Sequence, residues 1–109
     1  MKLLIAVVHD EDSEDLLDAL AEKGIGVTKL ATTGGFLKAG NTTLMIGVRK
    51  EKTEEVIDII KDVCKERKEV VTTPAPITGN TSMYMQYPIE VQVGGATVFV
   101  VDVDQFIKI

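Results

Sequence analysis

The sequence predicts an α+β fold of the ferredoxin-like, split-βαβ kind: an antiparallel sheet with two helices on one face plus an added C-terminal strand. Three observations carry this expectation. A strand-like run is followed by an amphipathic helical stripe twice, first at KLLIAVV and again at LMIGV. The resulting order is β-α-β-β-α-β-β, and connections of this kind are right-handed and short, which leaves few alternatives. Finally, 109 residues suffice for one domain with its own core, spanning residues 1–109, without metal or disulfide staples.

The elements follow in order. Lys2 to Val8 is apolar at nearly every position, which suits a strand covered on both faces. Residues 12 to 23 then place Leu16, Leu17 and Leu20 on one stripe, with Glu14 and Asp15 in the first turn and Gly24 just beyond the end. Ile25 to Thr32 reads as a second strand, a glycine-rich segment as a loop, and Thr42 to Val48 as a third strand with Leu44, Ile46 and Val48 on one face. Thr53 is placed to cap a second helix, whose Val56, Ile57, Ile60, Val63 and Cys64 recur at helical spacing. Pro74, Pro76, Gly79 and Asn80 interrupt the next stretch, so residues 68 to 87 read as a long loop, a length that is usually functional or disordered. Pro88 to Val93 alternates, Gly94-Gly95 supplies a two-residue hairpin turn, and Ala96 to Val103 returns as an apolar strand.

If both helices cover one sheet face, the other is left bare. The first strand is apolar on both sides, Leu4, Ala6 and Val8 against Leu3, Ile5 and Val7. A bare apolar sheet of that extent is covered by copies of itself more readily than by solvent, so a homo-oligomer is expected.

Charge excludes several functions. A net charge of −5 opposes the broad basic surface that nucleic acid polymers or anionic membranes require. The single cysteine, Cys64, falls in a helical stripe and reads as a core thiol of a reduced, cytoplasmic compartment. The opening apolar run is too short to cross a bilayer and turns acidic where a signal peptide would carry small residues.

The segment ATTGGFLKAGNTT, residues 31 to 43, carries the most specific chemistry. Gly35 to Thr42 is one substitution from a P-loop, with Asn41 where that motif has lysine. A P-loop requires a following helix to receive phosphate, whereas TTLMIGV alternates like a strand, so Walker-type hydrolysis is not expected. The glycines instead permit backbone N–H groups to converge on phosphate or carbonyl oxygens. Asn41 complements an adenine edge, Phe36 and Leu37 offer apolar surface to a base, and Thr28 adds a hydroxyl. Lys29 and Lys38 are the nearest cations. Gly47 marks a close approach or a bulge, and Phe99 is a core aromatic or, at a subunit seam, a ligand contact. On residue type alone, each also reads as ordinary structure: glycine pairs punctuate loops, and Thr28 is a good strand former. His9 and Asp10 have no partner nucleophile in sequence, so no catalytic residues are assigned. His9, Cys64, Met83 and Met85 offer soft-metal ligands but lack the spacing of a structural zinc site, so no metal residues are assigned either.

KLATTGGFLKAGNTT (29 to 43) and VQVGGATVFVVDVDQF (91 to 106), far apart and in this order, resemble the cyclic di-AMP receptor family of PII-like signal transduction proteins. The resemblance spans nearly the whole chain. It implies a PII-like trimer, a short loop between the second and third strands, a longer one after the second helix, and no catalysis. It further implies one cyclic di-AMP per subunit interface, bound without a further cofactor, with signalling through the loops to a downstream protein partner. Carried over by position, Thr28 and Asn41 would bond adenine, Gly35, Phe36 and Leu37 would wall the ligand, Gly47 would admit it to the strand, and Phe99 would pack on adenine across the interface. Gly26 stands where some relatives carry a basic residue, so a phosphate contact from that position is absent. The alternatives kept beside this expectation are a PII-like sensor of ATP or another mononucleotide and a trimeric soft-metal binding protein.

Overall fold

A computed structural model describes the backbone of residues 1–30, 40–77 and 80–109, and the side chains of these residues apart from 71–87. The elements are β1 (Lys2–His9), α1 (Asp10–Glu22), β2 (Thr28–Lys29), β3 (Asn41–Val48), α2 (Thr53–Val63), β4 (Arg67–Ile77), β5 (Asn80–Val93) and β6 (Ala96–Asp102). A four-stranded sheet runs in the order β2-β3-β1-β6, antiparallel throughout, which is the split-βαβ arrangement predicted.

The core forms where the helices meet one face of this sheet. Leu4, Ala6 and Val8 of β1 and Leu44 and Ile46 of β3 are fully or almost fully buried. They meet Leu16 and Leu20 of α1 and Val56 and Ile60 of α2, with Cys64 just beyond the second helix. The period of two in the strands and of 3.6 in the helices put these residues on facing surfaces, as the sequence pattern predicts. Burying one such aliphatic side chain contributes about 1.5–3 kcal/mol. Gly24, at φ +72, turns the chain out of α1, where a side chain would be strained.

Four expectations are revised. Among the described residues the second strand comprises Thr28–Lys29, paired with Met45 and Leu44, and does not begin at Ile25. Residues 68 to 87 are not an irregular loop: β4 and β5 pair in register from Arg67↔Val93 to Pro76↔Tyr84, forming a two-stranded ribbon of its own. The prolines that argued against strands are tolerated because each strand of such a ribbon has an open edge, where a missing N–H forfeits no ladder bond. Gly94-Gly95 is accordingly not a hairpin turn, since β5 pairs with β4 while β6 passes to the main sheet beside β1. The C-terminal strand β6 thus takes the fourth position of the plan, and the ribbon is the inserted element. Thr53 does not cap α2: Lys52 is the N-cap residue, without a side-chain cap bond, and the Thr53 hydroxyl is buried without a partner among the described residues.

The radius of gyration of 18.7 Å exceeds the roughly 13 Å of a compact chain this long. An 11-residue strand extends about 35 Å, so the ribbon accounts for the difference.

Candidate ligand-binding face

Residues directly opposite in a ladder share a face, and successive residues alternate. With Leu4, Ala6 and Val8 facing the helices, Leu3, Ile5, Val7 and His9 face the other way. The register pairs Leu3 with Gly47, Ile5 with both Met45 and Phe99, and His9 with Asn41, while Thr28 pairs with Met45. Thr28, Asn41, Gly47 and Phe99 therefore all lie on the sheet face that neither helix covers. Gly35, Phe36, Leu37 and Lys38 lie outside the described residues.

Thr28 and Gly47 come together. They border a mainly apolar cavity of about 340 Å³ with Leu3, Met45, Val103 and Phe106. A Cβ at Gly47 would meet nothing within 4 Å, so packing within the chain places no demand for glycine there. What the missing side chain provides is open surface beside Thr28.

Asn41 stands apart, six residues along β3 from Gly47, or about 20 Å in an extended strand. It borders two hollows. One, of about 420 Å³, includes Lys29, Asp10 and Ser13. The other, of about 290 Å³, joins it to His9, Glu66, Gly94 and Gly95 at the root of the ribbon. Lys29, expected as a nearby cation, thus shares a rim with Asn41, and it lies 3.9 Å from Glu14. The end of the glycine-rich segment is pinned here: Gly40, at φ +97, accepts a hydrogen bond from the Asp10 N–H at 2.8 Å, and the Thr42 hydroxyl donates to the Asp10 carboxylate.

Phe99 lies on β6, three strand spacings from Thr28, or about 14 Å. It is 56% exposed, and Val101 on the same face is 45% exposed. Neither is a core residue within this chain. Cys64, by contrast, belongs to the helix-side core, and burial, with a smaller contribution from the Asp12 charge, pushes its thiol up to about 11. His9 faces the opposite side of the sheet, so these two potential soft-metal ligands do not converge. Among the described residues no group of three His, Cys, Asp or Glu side chains is placed to hold a metal ion.

Leu3, Met45, Val103 and Phe106 escaped the sequence reading as site residues. Leu3 and Met45 had a usable signal, since strand alternation places them on the face of Gly47. Val103 had the same signal, since the strand expected over Ala96 to Val103 puts it on the face of Phe99, whereas Phe106 had none, because it follows the last strand, where no period applies. The pairing of Asp12 with Arg67 also escaped. Asp12 is 3% exposed and its carboxylate lies 2.7 Å from Arg67 Nη2. The hydrogen bond it donates to this carboxylate is the main reason the guanidinium holds its proton even more firmly than usual.

Over residues 1–109 the chain matches a family model described as cyclic-di-AMP receptor. It is also similar to a solved structure, described as the crystal structure of a functionally unknown protein from Pediococcus pentosaceus ATCC 25745. The two are 46% identical with a TM-score of 0.77, over 99% of this chain and 96% of that one. Among the described residues, no helix is long and apolar enough to cross a membrane.

Proposed function

This chain belongs to the cyclic-di-AMP receptor family, and on that premise we propose that it is a cytoplasmic, non-catalytic sensor that binds cyclic di-AMP at the subunit interfaces of a homotrimer. The observation that carries this reading is the common face of Thr28, Asn41, Gly47 and Phe99, uncovered by either helix. Spread over about 14 Å across the strands and about 20 Å along β3, the four do not form one compact pocket within a chain. A second chain on this face completes the set, bringing its Phe99 to the Thr28 and Gly47 of the first, with Gly35, Phe36 and Leu37 walling the ligand.

The chemistry suits a purine dinucleotide. Asn41 offers an amide donor and acceptor together, Phe99 a flat apolar surface, and Lys29 a cation beside Asn41 in a chain whose net charge is otherwise unfavourable to phosphate. Ligand binding shifts a conformational equilibrium only through unequal affinity for its two states. The β4–β5 ribbon, whose root borders the Asn41 hollow, is the element through which such a shift reaches a downstream protein.

Calorimetric titration with cyclic di-AMP, cyclic di-GMP and ATP tests the reading. Saturation by cyclic di-AMP at one molecule per chain, with little heat from the others, is expected. No heat with cyclic di-AMP, or equal competition by ATP, rejects it.

A further inference from the structure

Resting on that reading, we propose that Asp12 and Arg67 are a positioning pair that couples the messenger site to the root of the β4–β5 ribbon. The path is built from bonded contacts. Next to Asn41, Gly40 accepts the Asp10 N–H, and the Thr42 hydroxyl donates to the Asp10 carboxylate, so the start of β3 is held by the first residue of α1. The Asp10 carbonyl in turn accepts the Ser13 hydroxyl at 2.8 Å, which closes that helical turn around Asp12.

From Asp12 the path crosses to the ribbon. Arg67 Nη2 donates to Asp12 Oδ1 at 2.7 Å and Nη1 approaches Oδ2 at 3.5 Å, while Nη1 also donates to the Lys65 carbonyl at 3.1 Å. Arg67 is the first residue of β4 and pairs through its backbone with Val93, the last of β5, so the residue that holds Asp12 also opens the ribbon ladder. Beyond Val93, Gly94 takes φ +86, and a side chain there would collide with the same Lys65 carbonyl. Gly95 then donates its N–H to the Cys64 carbonyl. The two routes reunite in the hollow shared by Asn41, Glu66, Gly94 and Gly95.

A buried carboxylate with one cationic partner is not free to drift, because separating the pair strands a desolvated charge. The first turn of α1 and the ribbon root therefore move together. A ligand that displaces the segment at Gly40 to Thr42 repositions the ribbon, and a partner that grips the ribbon alters messenger affinity by the same factor. Loss of a clamp serving stability alone would lower the melting temperature without carrying a local change from one end to the other.

Hydrogen exchange on the full chain separates these. Without ligand, Thr42→Val, which deletes only the hydroxyl bond to Asp10, is expected to speed exchange at Arg67 to Glu69 and Val91 to Val93 by about fivefold or more, the lower range of coupled sites. Combining it with Arg67→Lys is expected to add little, since both act along one route. With cyclic di-AMP, the protection gained at the ribbon root is expected to fall by about half or more in Arg67→Lys. Exchange changes confined to residues 8–13 and 40–44, with simple additivity in the double variant, would overturn the coupling. Absence of cyclic di-AMP binding by the unmodified chain would instead overturn the proposed function, while the ligand-free comparison still decides whether the pair transmits.

Discussion

Ile5 and Phe99 stand directly opposite each other in the β1–β6 ladder, on the sheet face away from both helices, and Phe99 is nonetheless 56% exposed. An aromatic so placed does little for the fold of a single chain, yet it is available to a base. Phe99→Ala is expected to weaken cyclic di-AMP binding by about 1–3 kcal/mol, the worth of one base–aromatic stack, while leaving the melting temperature almost unchanged. Titration calorimetry beside thermal unfolding reads both, and a large loss of stability would return Phe99 to the core.

Asn41→Ala removes an amide donor and acceptor at the start of β3. Messenger affinity is expected to fall by about 1–3 kcal/mol, the cost of leaving polar partners of the ligand unsatisfied. Retained affinity would refute the adenine contact.

Glycines 47 and 94 make a contrasting pair. Gly47→Val fills open surface, so it is expected to block ligand while changing stability by less than about 1 kcal/mol. Gly94→Val forces a branched side chain into positive φ against the Lys65 carbonyl, and a destabilisation of about 2–4 kcal/mol is expected. Urea unfolding of the two variants, with calorimetry of the first, checks the pair.

Cys64 gives a pH dependence. In the fold its thiol is pushed up to about 11 from 9.0, chiefly by burial and secondarily by the Asp12 charge, with Arg67 opposing. The unfolded chain ionises first, so the stability this thiol contributes is fully present below pH 9 and is lost as pH rises from 9 to about 11. Cys64→Ala is expected to flatten that alkaline fall in urea-unfolding stability. At pH 8, iodoacetamide is expected to label Cys64 slowly in the native protein and rapidly in urea.

The sequence made the main sheet legible because its rules are local and periodic. Leu4, Ala6 and Val8 alternate, and Val56 and Ile60 recur at one helical turn, and these residues are the core. The ribbon was illegible because Pro74 and Pro76 signal a break wherever a strand has neighbours on both sides, and no local pattern reports that a strand has only one. Thr53 misled for a similar reason: its residue type suits a cap, but the helix takes it in as the first residue. At the site, the glycine-rich segment marked Asn41 by chemistry, and register then placed it with Thr28, Gly47 and Phe99. Asp12 and Arg67 are 55 residues apart, and a pairing over that separation has no signature in either neighbourhood.

The β4–β5 ribbon has a consequence for colloidal behaviour. A long paired strand with an unprotected flank is a template on which further chains can stack into fibres. Pro74, Pro76 and Pro88 each withdraw a donor from it, and Lys68 and Glu90, joined diagonally between the strands by an ion pair of 3.2 Å, place opposite charges near its base. The residues that disguise the ribbon in the sequence thus also oppose such stacking, and a chain with threonine at all three prolines is expected to form thioflavin-positive fibrils faster than the parent.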